Sequence, residues 1–185
     1  MVVLLTVVAG ALWARVAISM PSRTEGGSAA LPLWVMLPLL AASAIAAGLD
    51  SDMADLEASA ARRLWPLEIG YLGAATATTA GLLAAAFARA GLGPANPEII
   101  RNLVLWVGLA VLSGRLFNRR LTWVVPLAVL FAVHGFGFGY ATQTPLWWAV
   151  PLAPAGPVST ACALGVLVAG VAVATASPWR TRRGR

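Results

Sequence analysis

The sequence has few charged side chains and almost none of the residues that bind metal ions through nitrogen or sulfur. Only 11% of its 185 residues are charged, lysine is absent, and all 13 basic residues are arginines. The single cysteine, Cys162, excludes an intrachain disulfide and a thiolate metal cluster. His134 is the only histidine and has no second metal ligand nearby, which favours a hydrogen-bonded histidine at a helix interface. The rest of the composition, 59% hydrophobic with a positive mean hydropathy, is that of an integral membrane protein.

Sequence motifs of nucleotide-binding and hydrolytic enzymes are also absent. The chain has no G-x-x-x-x-G-K-S loop, no H-E-x-x-H, no G-x-S-x-G and no carboxylate pair inside an apolar segment. We therefore expect no enzyme activity and no cofactor in this chain. The net charge of +6 comes from short groups of arginines beside apolar segments, which favours contact with anionic lipid over nucleic acid.

Apolar segments long enough to cross a bilayer recur along the whole chain. A helix needs about 20 apolar residues to span a hydrocarbon core of about 30 Å. The prediction is an all-α integral membrane protein with one six-helix transmembrane domain over residues 1–185. Its spans are expected at 2–20, 31–49, 67–89, 98–114, 121–140 and 157–177.

The arginines and tryptophans predict how these spans are oriented. With the amino terminus inside, nine arginines fall in cytoplasmic segments and four on the outer side. The first span alone favours the opposite orientation, because Arg15 and Arg23 follow it. Six of the eight tryptophans fall at predicted membrane boundaries, and Trp106 lies in mid-span. We expect a multi-pass protein of the bacterial cytoplasmic membrane with both termini in the cytoplasm.

The stretch "LDSDMADLEASAARRLWPLE", residues 49–68, holds five of the seven acidic residues. Apolar residues recur there at helical spacing, and acidic residues precede the arginines in the sense that complements a helix dipole. This pattern predicts a short amphipathic helix on the cytoplasmic surface whose polar face prefers a protein partner. The candidate partner-coupling residues are Asp52, Met53, Asp55, Leu56, Glu57, Arg62 and Arg63.

Residues 135–159, "GFGFGYATQTPLWWAVPLAPAGPVS", are apolar and aromatic but contain four prolines and four glycines. They cannot form one helix and are too hydrophobic for an exposed loop. We expect a re-entrant or interfacial hairpin on the outer side, provided that other groups satisfy its backbone. Its candidate residues are Pro145, Trp147, Trp148 and Pro151.

Small residues recur every four positions along the third and sixth predicted spans. Such series let helices approach closely, although an alanine-rich composition produces them by chance about as readily. The candidate packing residues are Gly73, Ala77, Gly81, Gly165 and Ala169.

Six spans, the helix between the second and third, and the broken hairpin between the fifth and sixth resemble the membrane subunits of ABC exporters sometimes called type V. The stretch "DLEASAARRLWPLE" is similar to the cytoplasmic loop of compact actinobacterial permease-like proteins encoded beside an ATPase. The resemblance implies that the 50–65 helix couples to a separate ATP-binding-cassette ATPase, which hydrolyses ATP. It also implies a second membrane subunit, identical or related, and an outer hairpin that caps the transport path.

Two other function classes fit the same features. One is the substrate-binding membrane component of a small-molecule uptake system, with specificity in an outward pocket. The other is a non-transporting assembly or immunity factor that packs against other membrane proteins. An ATPase partner favours the exporter subunit, and co-purification of a small ligand favours the uptake component.

Overall fold

The computed structural model describes residues 17–21, 28–32, 36–49, 65–89, 91, 96–139 and 144–176. Five α-helices form most of this part of the chain: α1 (Leu37–Ala47), α2 (Trp65–Arg89), α3 (Asn96–Leu116), α4 (Val124–Phe136) and α5 (Pro157–Ala176). A short 3-10 helix, Arg119–Leu121, lies between α3 and α4. Two strands, β1 (Ala17–Pro21) and β2 (Ser28–Pro32), pair antiparallel with Ala17 opposite Pro32.

Three helices are long and apolar enough to cross a membrane: Pro66–Arg89, Pro97–Leu116 and Pro157–Thr175. Each segment begins at a proline, whose fixed φ and missing N–H suit the first turn of a helix. Only 22% of the apolar window in α2 and 11% of that in α5 are buried. Apolar helices with this much exposed surface need a non-aqueous environment, which indicates a membrane protein.

Six spans are not supported within the described residues. The first predicted span is wrong at its carboxyl end, because residues 17–20 lie in β1, and its earlier residues fall outside the description. The second was predicted to begin at residue 31, but residues 31 and 32 lie in β2. The third, fourth and sixth predicted spans correspond to α2, α3 and α5 and agree with them to within a few residues at each end.

Helices α1 and α4 are shorter than the spans predicted for them. They contain 11 and 13 residues, which correspond to about 17 and 20 Å. Pro38 lies in the first turn of α1 and Gly48 ends it, while Gly137 ends α4. Seven residues of α1 are buried, so this helix packs inside the protein.

The helices alternate in direction between two ends of the bundle, which we call the Arg101 end and the Arg115 end after two residues of α3. At the Arg115 end, Leu49 after α1 and Glu68 in the first turn of α2 line one cavity together with Arg115. Helix α4 also begins at this end. The Ser113 hydroxyl of α3 holds its start, since it donates to the Leu121 carbonyl at 2.5 Å and accepts from the Val125 N–H at 3.2 Å. The 137–156 loop lies at the Arg101 end. This is the opposite end of the bundle from Leu49 and Glu68, while their placement on two sides of a membrane stays a prediction.

Helix α3 is the central helix, with 67% of its apolar window buried. Helix α3 runs parallel to α5. Arg101 bonds to Ser159 near the start of both helices, and Arg115 bonds to Ala174 near the end of both. Between them, a Cβ at Gly108 would lie 2.7 Å from the Leu167 nitrogen, and one at Gly170 would lie 2.8 Å from the Gly108 carbonyl oxygen. Glycine at both positions is therefore what allows these two backbones to touch.

The predicted packing residues are not the ones that bring helices together in the described part of the chain. Gly73, Gly81 and Gly165 have nothing within 4 Å of an added Cβ. Ala77 and Ala169 are exposed as well. They make no close helix contact among the described residues, and their role in packing stays a prediction. The four-residue spacing did not identify the contact positions, because α2 has small residues on every face.

Substitutions of two glycines in α5 test the close contact. We expect Gly170→Ala to lower the free energy of unfolding by about 1–3 kcal/mol, because the new methyl meets backbone rather than a movable side chain. Gly165→Ala is the matched control and should raise stability by up to about 1 kcal/mol through helix propensity alone. Thermal unfolding in detergent checks both. Equal effects of the two substitutions would contradict the contact.

Candidate functional site

Arg101 lies in the second turn of α3 and is only 4% exposed. Its Nη1 donates to the carbonyls of Ala153 and Pro154 at 2.8 and 3.0 Å and to the Ser159 hydroxyl at 3.0 Å. Its Nε and Nη2 both donate to Oδ1 of Asn102, at 3.2 and 2.9 Å. The guanidinium thus attaches α3 to the 137–156 loop and to the first turn of α5.

Neighbouring polar groups complete this cluster. The side-chain amide of Asn102 donates to the Pro151 carbonyl at 3.0 Å. The Ser159 hydroxyl accepts from the Gly156 N–H at 3.1 Å and lies 3.2 Å from the Pro154 carbonyl. These bonds satisfy backbone carbonyls of a non-helical segment, which have no partners in a helix.

The described residues between α4 and α5, 137–139 and 144–156, are non-helical, and their re-entrant or interfacial placement on the outer side stays a prediction. Phe138 and Pro145 form an antiparallel bridge, and the Leu146 N–H donates to the Gly137 carbonyl at 2.8 Å. Pro151 is buried beneath it, whereas Trp147 is 88% exposed and Trp148 is exposed to a lesser degree. A Cβ at Gly137 would lie 2.9 Å from that of Ala149, so the loop packs directly on the end of α4. The described part of the loop therefore combines buried, hydrogen-bonded residues with two exposed tryptophans.

His134 is buried in the last turn of α4, with Nδ1 3.1 Å from the Leu130 carbonyl oxygen. The Nδ1–H tautomer donates this bond, which is the structural role expected from the sequence. No group of three or more metal-binding side chains occurs among the residues described.

The cavity at the Arg115 end has about 500 Å³ of empty space, part of it open to the surroundings. Most of its wall is apolar and comes from the ends of α1, α2, α3 and α5. Four polar side chains also line it: Glu68, Arg115, Thr122 and Thr175. A mainly apolar wall with a few polar groups is a feature of small-molecule sites.

Two of these polar side chains also hold the cavity wall. Arg115 donates from Nη2 to the Ala174 carbonyl, which fixes the end of α3 to the end of α5. The Thr122 hydroxyl donates to the Ser43 carbonyl at 3.3 Å, which attaches the start of α4 to α1. The wall is therefore held by side-chain bonds between helices that are distant in sequence.

The partner-coupling residues predicted from the sequence lie outside the described residues. They are Asp52, Met53, Asp55, Leu56, Glu57, Arg62 and Arg63. Their neighbours Leu49 and Glu68 both line the Arg115-end cavity.

Sequence reasoning missed the role of Arg101. Arg101 is only 4% exposed and donates to the carbonyls of Ala153 and Pro154. The signal that pointed to it is the pair Arg101-Asn102 inside an otherwise apolar helix, since consecutive strongly polar residues in a span need partners inside the protein.

Removal of the guanidinium tests the Arg101 cluster. We expect Arg101→Met to speed amide hydrogen exchange in residues 149–156, because buried carbonyls then lose donors at a cost of about 1–3 kcal/mol. Arg101→Lys should restore protection only in part, since an ammonium lacks the planar fork of donors. The control, Arg89→Met at the exposed end of α2, should leave this segment unchanged. Unchanged exchange in Arg101→Met would contradict the role assigned to the cluster.

Known proteins offer no likeness from which a function could be transferred. A scan against protein-family models gives no match, and neither curated proteins nor solved structures match the chain. Its function therefore has to be argued from its own residues and geometry.

Proposed function

We propose that this chain is a membrane-spanning permease subunit of an ATP-driven, ABC-type exporter, coupled through its 50–65 segment to a separate ATPase subunit. ATP hydrolysis belongs to that partner, and this chain carries no cofactor. The observation that carries the proposal is the position of Leu49 and Glu68, which flank the 50–64 segment and line the same cavity. A force applied to that segment reaches the ends of α1 and α2 directly.

The contacts between α3 and α5 favour a movement of α2 in response to such a force. These two helices are joined by Arg101, by Arg115 and by the backbone contact at Gly108, over a length of about 21 Å. Helix α2 is mostly exposed, with 22% of its apolar window buried. Movement of α2 relative to a fixed α3–α5 pair is therefore the natural response to a pull at residues 50–64.

A transport path needs a second membrane subunit, identical or related. The middle of the bundle is filled by fully buried side chains, Leu103, Trp106 and Val107, so a single copy offers no route through its described core. The exposed face of α2 with Gly73, Ala77 and Gly81 is a surface on which another helix can pack closely.

The cavity supports one alternative, the substrate-binding component of an uptake system, because oppositely charged side chains line an apolar space. In that case the ligand co-purifies with the isolated chain and no ATPase is needed for binding. Binding of neither ligand nor ATPase would favour an assembly or immunity factor.

The orientation can be tested at described residues in a Cys162→Ser background. We expect the Arg101 end to face outward and the Arg115 end to face the cytoplasm, with both termini cytoplasmic in the bacterial membrane. An impermeant maleimide should then label Trp147→Cys in intact cells and Phe117→Cys only after permeabilisation. Both side chains are exposed, so accessibility reports on the side of the membrane. Labelling of Phe117→Cys alone in intact cells would reverse the orientation.

Charge reversal tests the coupling segment. We expect Asp52→Arg, Asp55→Arg and Glu57→Arg each to weaken co-purification with the ATPase while leaving membrane insertion intact, because exposed charges contribute only about 0–1 kcal/mol to stability. The effect should grow as ionic strength falls, since low salt screens charge less. If the docking surface is apolar, truncation of Met53 and Leu56 to alanine should cost more.

The matched control for these variants is Ala155→Arg, which adds positive charge at the exposed loop of the opposite end. It should not alter ATPase binding. The coupling role fails if no substitution in the segment changes partner binding or transport.

A further inference from the structure

The carboxyl end of α1 and the second turn of α2 meet at Gly48 and Tyr71. A Cβ on Gly48 would lie 2.2 Å from the Tyr71 hydroxyl oxygen and 3.1 Å from Cζ of the same ring. The first of these distances is far below any van der Waals contact, so a side chain at position 48 would displace the phenol. The tyrosine ring therefore packs directly on the backbone of Gly48.

The backbone conformation of Gly48 does not require a glycine. Its φ of −65° and ψ of −10° lie in the right-handed helical region, which other residues adopt as readily. Its N–H donates to the Ala44 carbonyl at 3.1 Å, and the Leu49 N–H donates to the Ala46 carbonyl at 3.2 Å. Space for the Tyr71 ring is therefore what the structure shows a glycine to provide at position 48.

The contact lies beside the Arg115-end cavity. Leu49, next to Gly48, and Leu72, next to Tyr71, both line this cavity. Only about 30 Å³ of its space admits the centres of water molecules, which is room for about two or three of them. The contact between the two helix ends thus closes the wall on the side where α1 meets α2.

Of the two partners, Tyr71 is the one with room to move. Helix α1 has seven buried residues, and the Thr122 hydroxyl donates to its Ser43 carbonyl at 3.3 Å, so the position of Gly48 is fixed from several sides. Tyr71 is 43% exposed. A phenol with this exposure can rotate off the Gly48 backbone toward the surroundings.

We propose that Gly48 and Tyr71 form a latch, which holds the ends of α1 and α2 together and closes the Arg115-end cavity on that side. The latch opens when the Tyr71 ring leaves the Gly48 backbone. Leu49 and Glu68 flank residues 50–64, so a force on that segment acts on the two helix ends that the latch joins. The latch itself is a property of this chain and does not depend on an ATPase partner.

Thiol labelling behind the latch tests whether it closes the cavity. In a Cys162→Ser background, Val111→Cys places a thiol in the α3 wall of the cavity, where the native side chain is 5% exposed. The detergent-solubilised full chain is treated with methyl methanethiosulfonate, and the labelling rate is followed by mass spectrometry. We expect Gly48→Ala to raise this rate by about tenfold, because the added methyl group displaces Tyr71. Val168→Cys on the exposed face of α5 should label at the same rate with and without Gly48→Ala.

Two further variants separate the latch from the general effect of an added methyl group. Gly70→Ala is the matched control, because an added Cβ there has nothing within 4 Å although it is next to Tyr71. It should leave the labelling of Val111→Cys unchanged. Tyr71→Phe removes the oxygen that would lie 2.2 Å from the new methyl group of Gly48→Ala. The double variant should therefore label at nearly the parent rate, and persistence of the high rate would contradict the latch.

Tyr71→Ala guards against misfolding of Gly48→Ala. It removes the ring from the other side of the latch, and it should also raise the labelling rate of Val111→Cys. Thermal unfolding of each variant is measured alongside labelling. A raised rate in a folded Tyr71→Ala variant supports the latch. An unchanged rate in that variant, or an equal rise in Gly70→Ala, would overturn it.

Discussion

The backbone contact between α3 and α5 is the constraint on which the rest of this structure depends. Because α3 and α5 are parallel, the chain has to return from the end of α3 to the start of α5. Helix α4 and the 137–156 loop make that return. The short distance is possible only because Gly108 and Gly170 lack side chains. Arg101 and Arg115 then fix the two ends of the pair to each other. Close packing of backbones replaces the hydrophobic effect, which gives no driving force between helices in lipid.

Both arginines place their guanidinium against backbone carbonyls. Arg101 and Arg115 each donate to carbonyls at an end of α5. Carbonyl oxygens in non-helical loops and last turns lack helical partners, so donors are needed there in any case. The guanidinium, with several donors in one plane, satisfies more of them than any other side chain. A chain with thirteen arginines and no lysine has the residue that this architecture uses.

Hydropathy predicted the three helices that are long enough to cross a membrane and overestimated the length of the two shorter ones. The helices α2, α3 and α5 follow from apolar runs of sufficient length, with prolines at their starts. Helices α1 and α4 come from equally apolar runs, but α1 begins only at Leu37 and α4 ends at Phe136. An apolar run of about 10–14 residues is more often a buried core helix than a span.

The contact glycines could not be chosen by spacing, because an alanine-rich helix has small residues on every face. Gly108 stands alone between large residues, a pattern with no helical repeat. The non-helical course of residues 144–156 was predictable, because its prolines exclude a continuous helix.

The two ends of the molecule differ in how their polar side chains are used. At the Arg101 end, polar groups bond to one another and to the loop before α5. At the Arg115 end, side chains of both charges line a space where α1, α2, α3 and α5 converge. The α3–α5 pair forms one wall of that space, and the helix ends that flank residues 50–64 form the other. A partner bound to the 50–64 segment, as proposed for the exporter, would therefore act on the helix ends that form this second wall.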